Sequence, residues 1–234
     1  MILRSPRLAR PCRVVFAMVP LVLSLASCFR GRLPAREYYR LRVPENGDTS
    51  PTQERDARGL ASGSLAIVPY VAPGVYGSRS IVYRLGDSEY GAYTNREWAL
   101  PVPMMLGMLT EDVLRGRPIT AEQAVFDPPS PHSYVYLWRG LVRELEEVDR
   151  DNQVFAAVRF DARLVRAQDD SVLWSGSARL ERLVQSGTMP AIVETLSQLS
   201  VEAVSQLLAS AREALPMPAA SAVRARVPDT VNRR

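Results

Sequence analysis

One histidine, His132, and two cysteines, Cys12 and Cys28, are the only imidazole and thiol groups in the chain. A Ser–His relay therefore has a single candidate base. It lies in Asp127-Pro128-Pro129-Ser130-Pro131-His132, a proline-stiffened connector in which a histidine reads as a solvated loop residue. The sequence contains no G-x-S-x-G elbow, no H-E-x-x-H pair and no P-loop. Its His, Cys and carboxylate residues do not gather at metal-ligand spacing. The one acid-rich stretch is Glu144, Glu146, Glu147 and Asp149, expected at a strand end and hairpin turn as solvated charge. These patterns point away from catalysis, from a bound metal and from a cofactor.

Cys28 has a different setting. Arg4, Arg7, Arg10 and Arg13 form a positive region without an acid, and Val14 to Ala26 is almost wholly apolar. That run has the length of a signal-peptide core and is too short to span a bilayer as a helix. It closes in Leu25-Ala26-Ser27-Cys28, with no A-x-A site. The closing residues resemble the lipobox of bacterial lipoproteins, which implies a diacylglycerol on the Cys28 sulfur and an N-acyl chain after cleavage. Residues 1–27 are then a signal peptide and residues 28–37 a tether.

Several consequences follow from a lipidated Cys28. Cys12 is discarded, so no disulfide or catalytic thiol remains. The formal charge of +4 loses four arginines, and the near-neutral remainder gives no reason to expect nucleic acid as a partner. One acyl chain gives marginal membrane binding, at about 0.8 kcal/mol per buried methylene, whereas three give lasting anchorage. Ten residues from Cys28 to Tyr38 reach at most about 33–36 Å. Phe29 and Arg30 follow the cysteine, where an aspartate would mark retention at the inner membrane. The expected location is the periplasmic leaflet of the outer membrane, with the inner membrane as the other possibility.

The rest of the chain must position whatever the anchor holds. Tyr38 to Val43 alternates as a short strand, Pro44 to Ser62 is a polar loop, and Leu65 to Val68 is a buried strand ended by Pro69. Ser80–Leu85 and Glu89–Thr94 flank Gly86-Asp87 as a hairpin. A helix is expected over Glu97 to Arg115, whose Met104, Met105 and Met108 read as a core face, with an adaptable binding surface as the alternative. Three alternating strands follow. Tyr134, Tyr136, Trp138, Gly140 and Val142 share one face of the first. Val154 to Leu164 and Val172 to Leu180 carry the second and third. An amphipathic helix from Pro190 to Leu215 would cover them. The spacing predicts an α+β fold over residues 38–215. Its antiparallel sheet, N-terminal strands and hairpin plus a C-terminal meander, lies under two helices. Residues 216–234 lack apolar periodicity and read as a disordered tail.

The order of these elements resembles the ABC-type transport auxiliary lipoprotein family, which includes the paraquat-inducible protein C group. The matching residues are Tyr38-Tyr39-x-Leu41, Ile67-Val68-Pro69, Tyr76, Arg79-Ser80-Ile81-Val82-Tyr83-Arg84, Trp98, and Leu196-Ser197-x-Leu199-Ser200. Leu100 stands where the family often has an acid. The resemblance implies a non-enzymatic partner of an ABC ATPase, a permease and an MCE-domain protein that together move lipid or other hydrophobic compounds between two membranes. Tyr76, Arg79, Ile81, Tyr83, Arg84 and Tyr90 are the candidate docking surface for the MCE protein, or for identical copies in a homo-oligomer; the alternative is that the tyrosines complete the sheet. Aromatic residues and arginine are favoured at interface centres. A structural lipoprotein of another envelope assembly, such as a pilotin or an outer-membrane assembly subunit, fits the same anchor and fold. A periplasmic hydrolase fits them less well.

Overall fold

A computed structural model describes residues 35–43 and 61–215. Cys28, the signal segment, most of the polar loop and the C-terminal tail lie outside the described residues. The elements run β1 (Glu37–Tyr39), β2 (Leu65–Ile67), β3 (Ser80–Leu85), β4 (Glu89–Trp98), α1 (Val102–Gly116), β5 (Val125–Phe126), β6 (Tyr136–Arg150), β7 (Gln153–Arg166), β8 (Val172–Leu183) and α2 (Met189–Ala214). The fold is α+β, as the spacing predicts, with one eight-stranded mixed sheet that is mostly antiparallel.

Local chemistry sets the boundaries. The helix expected from Glu97 begins at Val102 instead, because Pro101 and Pro103 lack the N–H a preceding turn would need. Glu97 and Trp98 finish β4. Pro101 caps the helix in an extended conformation, and its carbonyl accepts bonds from the Met104 and Met105 amides. Asp151 and Asn152, with φ of 53° and 59°, make the two-residue turn that joins β6 to β7. Both positions of that turn type require positive φ, which Asp and Asn tolerate.

β6 is the spine of the sheet. One edge pairs antiparallel with β7 along its whole length, and β8 follows β7. The other edge is shared by two parallel strands. β2 lies beside Tyr136–Trp138 and β3 beside Glu146–Asp149, with a bridge from Val71 to Leu141 between them. β5 extends the β2 branch, while β4 and then β1 extend the β3 branch. The parallel pairings are possible because long connections return the chain to the same edge.

Both helices lie on one side. α2 packs on β7 and β8 and also meets α1. Trp138 stacks on Trp174 at 5.7 Å and 17°, and the Trp174 indole donates to Ser210 Oγ on α2 at 3.2 Å. Tyr70 enters over Gly140, with its ring edge-on to Phe160. Trp138, Phe160, Leu164 and Leu196 are fully buried. Each such side chain contributes about 1.5–3 kcal/mol. On the opposite face, among the described residues, Ala66, Leu137, Val165 and Ala167 form a small apolar cluster, flanked by Tyr134.

Candidate functional site

The acid-rich stretch does not sit in a turn. β6 runs through it to Arg150, and a bulge between Val142 and Glu144 shifts the register. Leu145 then takes the helix-covered face opposite Val158, Glu146 faces the other way opposite Ala157, and Glu147 lies opposite Ala156. The two alanines leave room for carboxylates, and both acids are buried, at 0% and 4% exposure. The expectation of solvated charge is corrected here, because polar partners pay for the burial.

Those partners come from the first hairpin and the loop before it. Arg84 Nε donates to Glu146 Oε1 at 2.7 Å, and the Tyr76 hydroxyl donates to the other oxygen. Arg84 also donates to the Gly86 carbonyl at 2.9 Å, which ties the turn to the pair. On the opposite face, the Tyr93 hydroxyl donates to Glu147 Oε2 at 2.7 Å. Tyr83 meets Tyr93 edge-on at 5.3 Å and lies over Gly91, where a side chain would collide with its ring. Burial first, then the bond to Glu146, raises the Tyr76 phenol well above its ordinary range. Burial likewise raises Tyr93 and the Glu147 carboxyl. The hydrogen bond from Arg84 to Glu146 holds that guanidinium more firmly protonated.

The residues expected to form one docking surface are dispersed. Ile81 is fully buried in the core, and Tyr76 is buried against Glu146. Tyr83 is half-buried, and the Arg84 side chain is largely covered by its ion pair. Tyr90, 51% exposed, stands near the hairpin turn, where it faces Arg84 in the β3–β4 register. Arg79 is exposed at the other end of the hairpin, with its guanidinium 5.3 Å from the Tyr38 ring centre. Sequence reasoning missed the roles of Glu146 and Glu147. The signal was present in Val142 and Leu145, two apolar residues at odd spacing, which mark a bulge rather than a strand end.

His132 is exposed on a short 3-10 turn, Pro131–Ser133, and its Nδ1 lies 3.2 Å from the Ala167 carbonyl oxygen. It meets backbone there, whereas a triad histidine would be oriented by a carboxylate. Among the described residues no three His, Cys, Asp or Glu side chains are grouped to hold a metal, and no helix is long and apolar enough to cross a membrane.

This arrangement defines a two-layer α+β domain in which the buried Glu146 and Glu147 are bound by Tyr76, Arg84 and Tyr93. The family model for the ABC-type transport auxiliary lipoprotein component matches residues 39–208, and the chain belongs to that family. Among curated proteins none matches. Two solved structures with TM-scores above 0.5 share the fold. A Xanthomonas campestris protein assigned to family DUF330 is 18% identical, with a TM-score of 0.59 over 76% of this chain and 96% of that one. An uncharacterized protein is 16% identical, with a TM-score of 0.54 over 76% and 98%. A lipoprotein from Neisseria meningitidis, GNA1162, is 17% identical over 62% and 96%, with a TM-score of 0.34.

Proposed function

We propose that this protein is a non-catalytic docking subunit of an ABC/MCE-type system that moves lipid or other hydrophobic compounds between the inner and outer membranes. In this reading Cys28 carries the lipid anchor, and the domain is held on the periplasmic leaflet of the outer membrane. Its partners are an MCE-domain protein and the permease–ATPase complex. The observation that carries the proposal is the family match, which runs from β1 into α2. The state of the ionisable groups supports it, since Glu146, Glu147, Tyr76 and Tyr93 are bound to one another or to Arg84. Docking would use the exposed ends of the first hairpin, Tyr90 at the turn and Arg79 beside Tyr38.

The test is detergent extraction of the full-length protein followed by affinity capture and identification of what accompanies it. An ATPase, a permease and an MCE-domain protein are the expected companions. Recovery of a secretion or outer-membrane assembly machine in their place would overturn the proposal.

A further inference from the structure

The sheet face away from the helices carries an unusual charge arrangement. Arg139 lies directly opposite Arg163 across β6 and β7, and Arg159 lies directly opposite Arg179 across β7 and β8. Like charges placed directly opposite one another destabilise a sheet. Acids offset part of this cost. Glu144 sits between Arg159 and Arg179 at 3.9 and 3.4 Å, Asp161 takes Arg143 at 2.7 Å, and Asp170 takes Arg139 at 2.6 Å. No described acid stands within ion-pair distance of Arg163. Ser175, Ser177, Arg179 and Glu181 carry the same face onto β8, where Glu181 is held by Arg150 at 2.7 Å. The result is a cationic strip with hydroxyl donors at its rim.

The strip ends at an open edge. Among the described residues β7 is the sole strand paired with β8, so the outer backbone groups of Val172–Leu183 have no partner strand. A long bare edge is a template for another strand, and natural proteins protect such edges or use them. Edge pairing is polypeptide chemistry, which a lipid headgroup cannot supply. A second copy of this chain would bring one cationic strip against another. Charge therefore favours a strand of opposite sign.

We propose that the outer edge of β8 accepts an acidic extended segment of a partner protein. That segment adds as a ninth strand, and its carboxylates lie beside Arg179 and reach toward Arg163. This surface is separate from the first hairpin and does not depend on lipidation of Cys28.

The test uses the full chain purified in detergent and a fluorescent peptide of alternating glutamate and valine. Binding is expected to weaken about tenfold or more in Arg163→Glu/Arg179→Glu, and less than about twofold in Arg115→Glu on α1. A lysine–valine peptide should bind the double variant better than the wild type, an exchange that a purely structural role would not produce. If the double reversal fails to fold, Arg163→Gln/Arg179→Gln should still weaken the acidic peptide. Unchanged acidic-peptide binding in a folded double variant overturns the proposal. So does arginine-dependent binding of phosphatidylglycerol micelles without peptide binding, which would put a membrane on this face. A peptide-resistant dimer that the double variant abolishes would assign the edge to a second copy and overturn it equally.

Discussion

Arg84 and Glu146 meet across neighbouring parallel strands, guanidinium Nε to carboxylate Oε1 at 2.7 Å, and the glutamate has no exposed surface. The pair fixes β3 against β6 at the branch where the sheet divides. Removing one member of a buried pair leaves an uncompensated charge. Arg84→Met is therefore expected to cost about 3–5 kcal/mol in urea unfolding. Arg84→Met/Glu146→Leu should recover part of that loss, since it leaves no unpaired charge and orphans only the Tyr76 hydroxyl that donated to Glu146. A double variant as unstable as the sum of its single changes would show that the two residues act independently.

Gly140 is the second fixed point. A Cβ at this position would collide with the Tyr70 ring, which is held by the Trp138 indole donating to its hydroxyl at 3.1 Å and by Thr110 at 2.8 Å. The ring cannot withdraw without breaking those bonds. Gly140→Ala is expected to lower stability by about 1–3 kcal/mol, the range for an overpacked core. A thermal melt checks this, and an unchanged midpoint would mean that Tyr70 yields freely.

Much of this architecture was legible in residue spacing. The alternation along β7 and β8, the Gly86 turn and the stripe of α2 all fold as their periods dictate, because each responds to local burial on one face. The branching of the sheet was not legible. β2 and β3 are short, and nothing local to Leu65–Ile67 or Ser80–Leu85 states that both run parallel to β6 on one edge. The dispersal of the candidate surface was not legible for a related reason. Ile81 and Tyr83 look alike in a hairpin until the assembled core buries Ile81 and leaves Tyr83 half-buried. Glu146 and Glu147 look solvated until Arg84, Tyr76 and Tyr93 arrive from distant sequence.

Glu147 should leave a signature in the pH dependence of stability. Burial raises its carboxyl above the ordinary range, the Tyr93 hydroxyl offsets part of this, and Asp149 adds to the rise. A carboxyl with a raised folded pKa binds its proton more tightly in the folded state. Its contribution is thus fully present below the unfolded pKa and is lost as pH rises through the folded one. Glu147→Gln keeps an acceptor for Tyr93 and removes the ionisation. The variant is expected to melt higher than the wild type at neutral pH, and the two curves should converge below the ordinary carboxylate range. A constant offset at every pH would place the effect in packing.

Lipidation has its own direct test. Cys28→Ala removes the sulfur that would take diacylglycerol, so the variant is expected to accumulate as an unprocessed precursor. Labelled palmitate should enter the wild type and not the variant. Equal labelling of both would move the anchor elsewhere in the chain.

Two of the hairpin tyrosines, Tyr83 and Tyr90, separate docking from folding. Tyr83 lies over Gly91 and against Tyr93, so Tyr83→Ala removes a packed ring and leaves a gap beside the hydroxyl that holds Glu147. Truncating a packed aromatic costs about 3–5 kcal/mol when it is fully buried. Tyr83 is half-buried, so the lower end or less is expected in a melt of the purified protein. Tyr90 is half exposed at the hairpin turn and completes no core cluster. Tyr90→Ala should leave the melt within about 0.5 kcal/mol of the wild type, as surface changes do. If this end of the hairpin docks to the transport partner, the same change should weaken co-purification by about 2 kcal/mol, the scale of an interface hot spot. Partner recovery that falls for Tyr83→Ala in proportion to its lost stability, and stays unchanged for Tyr90→Ala, would remove the turn from the interface.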